Sequence, residues 1–200
     1  MKMRLMLASA CAALLLTGCG EKPGDSKESQ TPAFSSEAIT ADSFGCISDL
    51  TAVDRYFVGN LAGDLDGTIA VAKSETGGTY PTGSVVQLVP TEVMVKLAPG
   101  SSPATKDWEF FELDVSAEGT KITTRGGADV VNRFGGRCLE CHEKAQPQWD
   151  LICKTDHGCD PIPFTDAMIR GIQKTDPRCA PQELTAEEQE GLKMLQAATA

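Results

Sequence analysis

Ser84-Val85-Val86-Gln87-Leu88-Val89-Pro90-Thr91-Glu92-Val93-Met94-Val95-Lys96-Leu97 decides the fold of this chain. Both apolar runs are rich in β-branched residues, which favour the pleated, half-buried surface of a strand. Pro90 separates the runs or places a bulge at a sheet edge. In the second run Val93 and Val95 share one face and Met94 takes the other, because side chains alternate along a strand. Working outward, Asp107 to Val115 (DWEFFELDV) reads as a further strand. Ala117-Glu118-Gly119 is its turn, and Lys121 to Arg125 its hairpin partner. Upstream, Leu50, Val53, Phe57 and Leu61 recur at helical spacing, so a helix is expected over roughly residues 49–61. Thr68 to Ala72 fits either a helix or a strand. Downstream, short helices are expected over residues 138–145 and 166–173. Thr185 with Glu188 forms a capping box for a last helix over about residues 186–198. The fold class is therefore α+β, an antiparallel β-sheet packed with helices.

The strongest chemical signal follows the β section. Arg137-Cys138-Leu139-Glu140-Cys141-His142-Glu143 carries C-x-x-C with histidine directly after it. That pattern matches a c-type haem attachment site, placed near the C-terminal end of the sheet region. Cys138 and Cys141 would form thioethers to the haem vinyl groups, and His142 would be the proximal ligand of the iron. One covalent haem c is the expected cofactor. The same C-x-x-C could serve as a redox dithiol, or as half of a zinc site completed by Cys153, Cys159 or His157. For the sixth iron position His157 is the histidine candidate, and Met94, Met168 and Met194 are the methionines outside the leader. An open, five-coordinate haem is expected, with Met94, Trp108 and Phe110 as candidates to line its pocket.

Lys2 and Arg4 precede an apolar run from Leu5 to Leu16, which is a signal-peptide core too short to span a bilayer. Leu16-Thr17-Gly18-Cys19 resembles the bacterial lipobox. That resemblance implies cleavage before Cys19 and lipidation of Cys19, with several acyl chains holding the protein at a membrane. Residues 20–43 are polar and rich in Ser, Glu, Lys, Pro and Gly, and read as a flexible tether. The expected organisation is a signal peptide over 1–18, a lipidated Cys19 and tether over 19–45, and a domain over 46–200. The expected location is the periplasmic side of a Gram-negative membrane, the outer membrane rather than the inner. Setting aside Lys2 and Arg4 leaves 16 basic against 28 acidic residues, a net charge of −12. So acidic a chain argues against nucleic-acid binding.

Of eight cysteines, Cys11 lies in the leader, Cys19 is the lipid site, and the motif takes two. Cys46, Cys153, Cys159 and Cys179 remain, an even number that suggests two disulfides in an exported protein. Three pairings are open. A tight Cys153–Cys159 loop is feasible, and it would leave Cys46 to bridge to Cys179.

The order of these segments resembles the cytochrome P460 and cytochrome c′-beta family. The segments that carry the resemblance are Tyr80-Pro81-Thr82-Gly83-Ser84-Val85-Val86, Trp108-Glu109-Phe110-Phe111, and Cys138 through Ala145, within residues 48–150. The resemblance implies a β-sheet packed by helices, often as a homodimer, around a five-coordinate haem. It further implies electron transfer to a redox protein partner, or binding of nitric oxide or carbon monoxide. Some members oxidise hydroxylamine with the help of a lysine–porphyrin cross-link. Here Gln87 and Leu88 stand where many relatives carry that lysine, and the nearest lysine is Lys96. Three functions are carried forward: a lipid-anchored haem-c protein for electron transfer or gas binding, an oxidase of hydroxylamine or a related nitrogen species, and a disulfide-stapled, non-haem interaction module.

Overall fold

A computed structural model describes residues 34–199. The residues read as a signal peptide, Cys19, and most of those read as the tether lie outside the described residues. Six strands form one antiparallel sheet whose spatial order follows the chain order. They are β1 (Thr51–Val53), β2 (Tyr56–Asn60), β3 (Ser84–Val89), β4 (Glu92–Lys96), β5 (Trp108–Ser116) and β6 (Gly119–Gly126). Four α-helices accompany them among the described residues: α1 (Leu65–Ala72), α2 (Cys138–His142), α3 (Asp166–Lys174) and α4 (Ala186–Thr199). The mixed α+β class with an antiparallel sheet is thus established.

The β3–β4 hairpin forms where the two valine-rich runs lie, and its register slips between Gln87 and Val89, beside Pro90. Gln87 Nε2 donates to the Pro90 carbonyl at 3.0 Å, which satisfies that irregular turn from within. Gly83 precedes β3 at φ +84°, and a Cβ there would stand 2.5 Å from the Ala62 backbone. Only glycine fits both that conformation and that approach.

Both faces of the sheet are buried. On one, Val86, Met94, Trp108 and Phe110 pack with Tyr56, Val58, Val130, Leu151 and Ile152, together with Cys138 and Leu139. On the other, Val85, Val93, Val95, Phe111 and Leu113 pack with Ile39 and Phe44. The packed structure therefore reaches back into residues 34–45, where Ile39 and Phe44 are almost fully buried. Phe44 meets Phe111 edge-on, with ring centroids 5.1 Å apart.

Residues 49–61 are not a helix. They form the β1–β2 hairpin, with Asp54 at φ +53° in its two-residue turn. Apolar residues there satisfy both periods, since Val53, Tyr56 and Val58 also face the core. Pairing of β2 with β3 then overrides the helical reading. Thr68 to Ala72 resolves as helix: the Asp64 side chain accepts from the Gly67 amide and caps α1. At the start of α4 the capping box forms as expected, with Thr185 and Glu188 each bonding the other's amide.

Two disulfides staple the domain, Cys46–Cys179 and Cys153–Cys159. The first spans 133 positions, and beside it the buried Ile47 amide donates to Asp176 Oδ2 at 2.9 Å.

Candidate functional site

The register of β4 against β5 builds one strip of side chains across a single sheet face. Its rungs are Lys96 opposite Trp108, Met94 opposite Phe110, and Glu92 opposite Glu112. Alternation sends Val93, Val95, Glu109 and Phe111 to the other face. Each rung receives something from the segment that follows the sheet.

At the first rung Lys96 is buried with Asp150. Its ammonium donates to both carboxylate oxygens of Asp150, at 2.9 and 2.8 Å, and to the Lys106 carbonyl at 2.6 Å. It also stands 5.0 Å from the Trp108 ring centroid. Burial lowers the Lys96 pKa, and hydrogen bonding to Asp150 works against that shift. Asp150 further accepts from the Tyr80 amide at 2.9 Å, and its carbonyl accepts from Trp108 Nε1 at 2.7 Å. Asp150 and Leu151 both have positive φ, +51° and +67°, and these contacts over-determine that costly conformation. A cavity of about 270 Å³ opens beside this rung, lined by Tyr80, Lys96, Asp107 and Asp150 among others.

At the second rung the His142 ring lies against Phe110, with centroids 5.4 Å apart. Its Nδ1 pairs with the Leu151 carbonyl at 2.7 Å, the contact that the turn at Asp150 presents. Burial lowers the His142 pKa, and because a carbonyl can only accept, Nδ1–H is the donor. Met94 and Phe110 face this core as the strand pattern implies.

At the third rung Glu92 and Glu112 face each other, with Arg133 as the cation beside them. Arg133 Nε donates to Glu112 Oε1, and its Nη2 donates to the Leu113 carbonyl at 2.6 Å. Glu112 Oε2 is buried and has no hydrogen-bond partner. Burial and the neighbouring Glu112 raise the Glu92 carboxyl to about 7. Cys138 lies close by, and burial together with Glu92 and Glu112 pushes its thiol up to about 11.

Cys138 is half-buried and Cys141 exposed, and neither is in a disulfide. A dithiol exchange site needs a thiol of lowered pKa, so the Cys138 environment works against that chemistry. His157 is buried among protein groups. Its ring stacks on Trp149 at 3.8 Å, and its Nδ1 pairs with the Ile152 carbonyl at 2.6 Å. The Cys153–Cys159 bond closes the loop that holds it, far from a metal-binding role shared with Cys153 or Cys159.

No family model, curated protein or solved structure matches this chain. Among the described residues, no three His, Cys, Asp or Glu side chains come together as a group able to hold a metal ion. These findings correct the sequence reading. The resemblance to the cytochrome P460 and cytochrome c′-beta family is withdrawn, and with it the covalent haem c and its iron at His142. Electron transfer, gas binding and the hydroxylamine oxidase rested on that haem and are withdrawn too. The physical reason lies in what the motif did not contain. Cys138, Cys141 and His142 supply spacing alone, and among the described residues they belong to no group of three or more metal-ligating side chains. Neither the cavity beside Lys96 nor the one beside Phe44 and Arg178 is lined by Cys138, Cys141 or His142.

The sequence reading missed the Lys96–Asp150 pair and the Glu92–Glu112–Arg133 cluster. Strand alternation held a signal for both, since Glu92 and Lys96 share parity with Met94. The partners Arg133 and Asp150 come from segments with no periodic pattern.

Proposed function

We propose that this chain is an exported, disulfide-stapled interaction module, presented on a membrane surface by a lipidated Cys19. The observation that carries the reading is the pair of disulfides, which uses all four cysteines left by the leader, the lipid site and the motif. Bonds of this kind persist in oxidising compartments, in keeping with an export signal. The lipobox-like Leu16-Thr17-Gly18-Cys19 supplies the tether, and the periplasmic side of the outer membrane is the compartment that fits it.

A protein partner suits the surface chemistry. Val131, Phe134 and Ile162 are exposed, and Phe134 packs on Phe164 with centroids 6.3 Å apart. Arg133 and Arg137 bracket Phe134 in the sequence, and aromatic residues with arginine dominate the energetics of protein interfaces. The strong negative charge elsewhere disfavours nucleic acid as the partner.

A photo-crosslinking residue at Phe134 tests the reading in cells that process lipoproteins, with the exposed Asp114 as control. A discrete adduct from position 134 and none from 114 is expected. Equal, diffuse labelling from both positions would contradict it.

A further inference from the structure

The third rung holds a feature that an interaction module does not require. Glu92 and Glu112 are direct cross-strand partners, so their Cβ atoms lie within about 5.5 Å, and each carboxyl stands in the field of the other. Glu112 is 94% buried, and one of its oxygens lacks a donor. A buried carboxylate oxygen left without a donor is costly. The charged and titratable groups around it are few. Glu92 comes from β4, Arg133 from the loop after β6, and Cys138 from α2. From β6, the residue opposite Glu112 is the uncharged Thr124, while Arg125 bonds Glu109 on the other face. Arg137 pairs outward with Asp129 and Glu140.

We propose that Glu92 and Glu112 share one proton, and that this proton latches the loop of residues 131–137 onto the sheet. Glu92 carries the proton and donates it to the orphaned oxygen of Glu112. Glu112 uses its other oxygen to hold Arg133, and Arg133 fastens the loop through the Leu113 carbonyl as well. The loop is closed on itself by the Asn132 amide to the Gly136 carbonyl, at 2.9 Å. It is joined to α2 by the Cys138 amide to the Val130 carbonyl, at 3.0 Å. With the proton lost, one buried and one half-buried carboxylate face a single arginine. Opening the loop admits water to both, so the opened form binds the proton less tightly than the closed form. Linkage then fixes the sign: raising pH favours opening. The raised Glu92 pKa places that change near neutrality. The switch would set how far Cys138 and the neighbouring apolar face at Phe134 are presented to a partner.

Amide hydrogen exchange of Asn132, Gly135, Gly136 and Cys138 tests this on the mature chain with both disulfides intact. Rates are corrected for the intrinsic pH dependence of exchange. Protection is expected to fall several-fold between pH 6 and pH 8 in the parent. Glu92→Gln, which keeps a hydrogen-bond donor without a titrating group, should hold protection constant across that range. Arg133→Gln should lose protection at every pH. A flat parent profile, a fall that persists in Glu92→Gln, or full protection in Arg133→Gln would each overturn the proposal.

Discussion

Cys46 and Cys179 lie 133 positions apart in sequence, yet their Cα atoms stand 4.8 Å apart across a disulfide. The bond joins the segment entering β1 to the turn after α3. Closing so long a loop removes much of the conformational freedom of the unfolded chain.

Replacing both partners, Cys46→Ser with Cys179→Ser, should therefore cost about 3–5 kcal/mol of stability. Urea denaturation of the oxidised parent and the double variant measures this. Cys153→Ser with Cys159→Ser opens a loop of only six positions and should cost less.

Lys96→Met should destabilise the fold by about 3–5 kcal/mol, because it strands the buried Asp150 carboxylate without its cation. Lys96→Met combined with Asp150→Leu should not restore the parent. Asp150 also accepts from the Tyr80 amide and has positive φ, which a leucine there would strain. The same denaturation experiment reads both variants.

Glu92 gives a pH dependence whose sign follows from its raised pKa. Its ordinary value is 4.5, and in the fold it stands near 7. Between those values the folded chain holds a proton that the unfolded chain has released. Stability contributed by this group is thus full below about 4.5, declines as pH rises toward 7, and is lost above it. Glu92→Gln should flatten that part of the profile, as measured by unfolding free energy at several pH values.

Cys19→Ser should release the mature protein from membranes into the soluble fraction while the far-ultraviolet circular dichroism stays unchanged. Fractionation after expression in a host that processes lipoproteins reads the outcome. A variant that still sediments with membranes would show that Cys19 is not the anchor.

Much of the sheet was legible because its strands announce themselves locally. The runs of β3, β4 and β5 are rich in β-branched and aromatic residues, and the β3–β4 and β5–β6 turns contain proline or glycine. The β1–β2 hairpin was not legible, since Leu50, Val53, Phe57 and Leu61 also satisfy a helical period. Only pairing with β3, more than twenty residues away, decides between the two. The disulfide pairing was readable as one of three options, because the short Cys153–Cys159 loop leaves a single complement. The site was less legible. Cys138, Cys141 and His142 announced a chemistry by spacing, whereas the rungs at Lys96 and Glu92 depend on Asp150 and Arg133, which no local pattern brings near. Ile39 and Phe44 lie in the stretch read as a tether yet join the core, since a polar segment can still lend single apolar residues to it.

The central claim is that Cys138 and Cys141 are free thiols of a module whose other four cysteines in the folded domain are paired. The direct measurement is the intact mass of the mature protein, made in a host able to attach haem c and then denatured and alkylated without reduction. The account predicts a colourless protein with the mass of the processed, lipidated chain, two disulfides, and two alkyl groups mapping to Cys138 and Cys141. An added tetrapyrrole mass, with a haemochrome spectrum and neither cysteine alkylated, would contradict it.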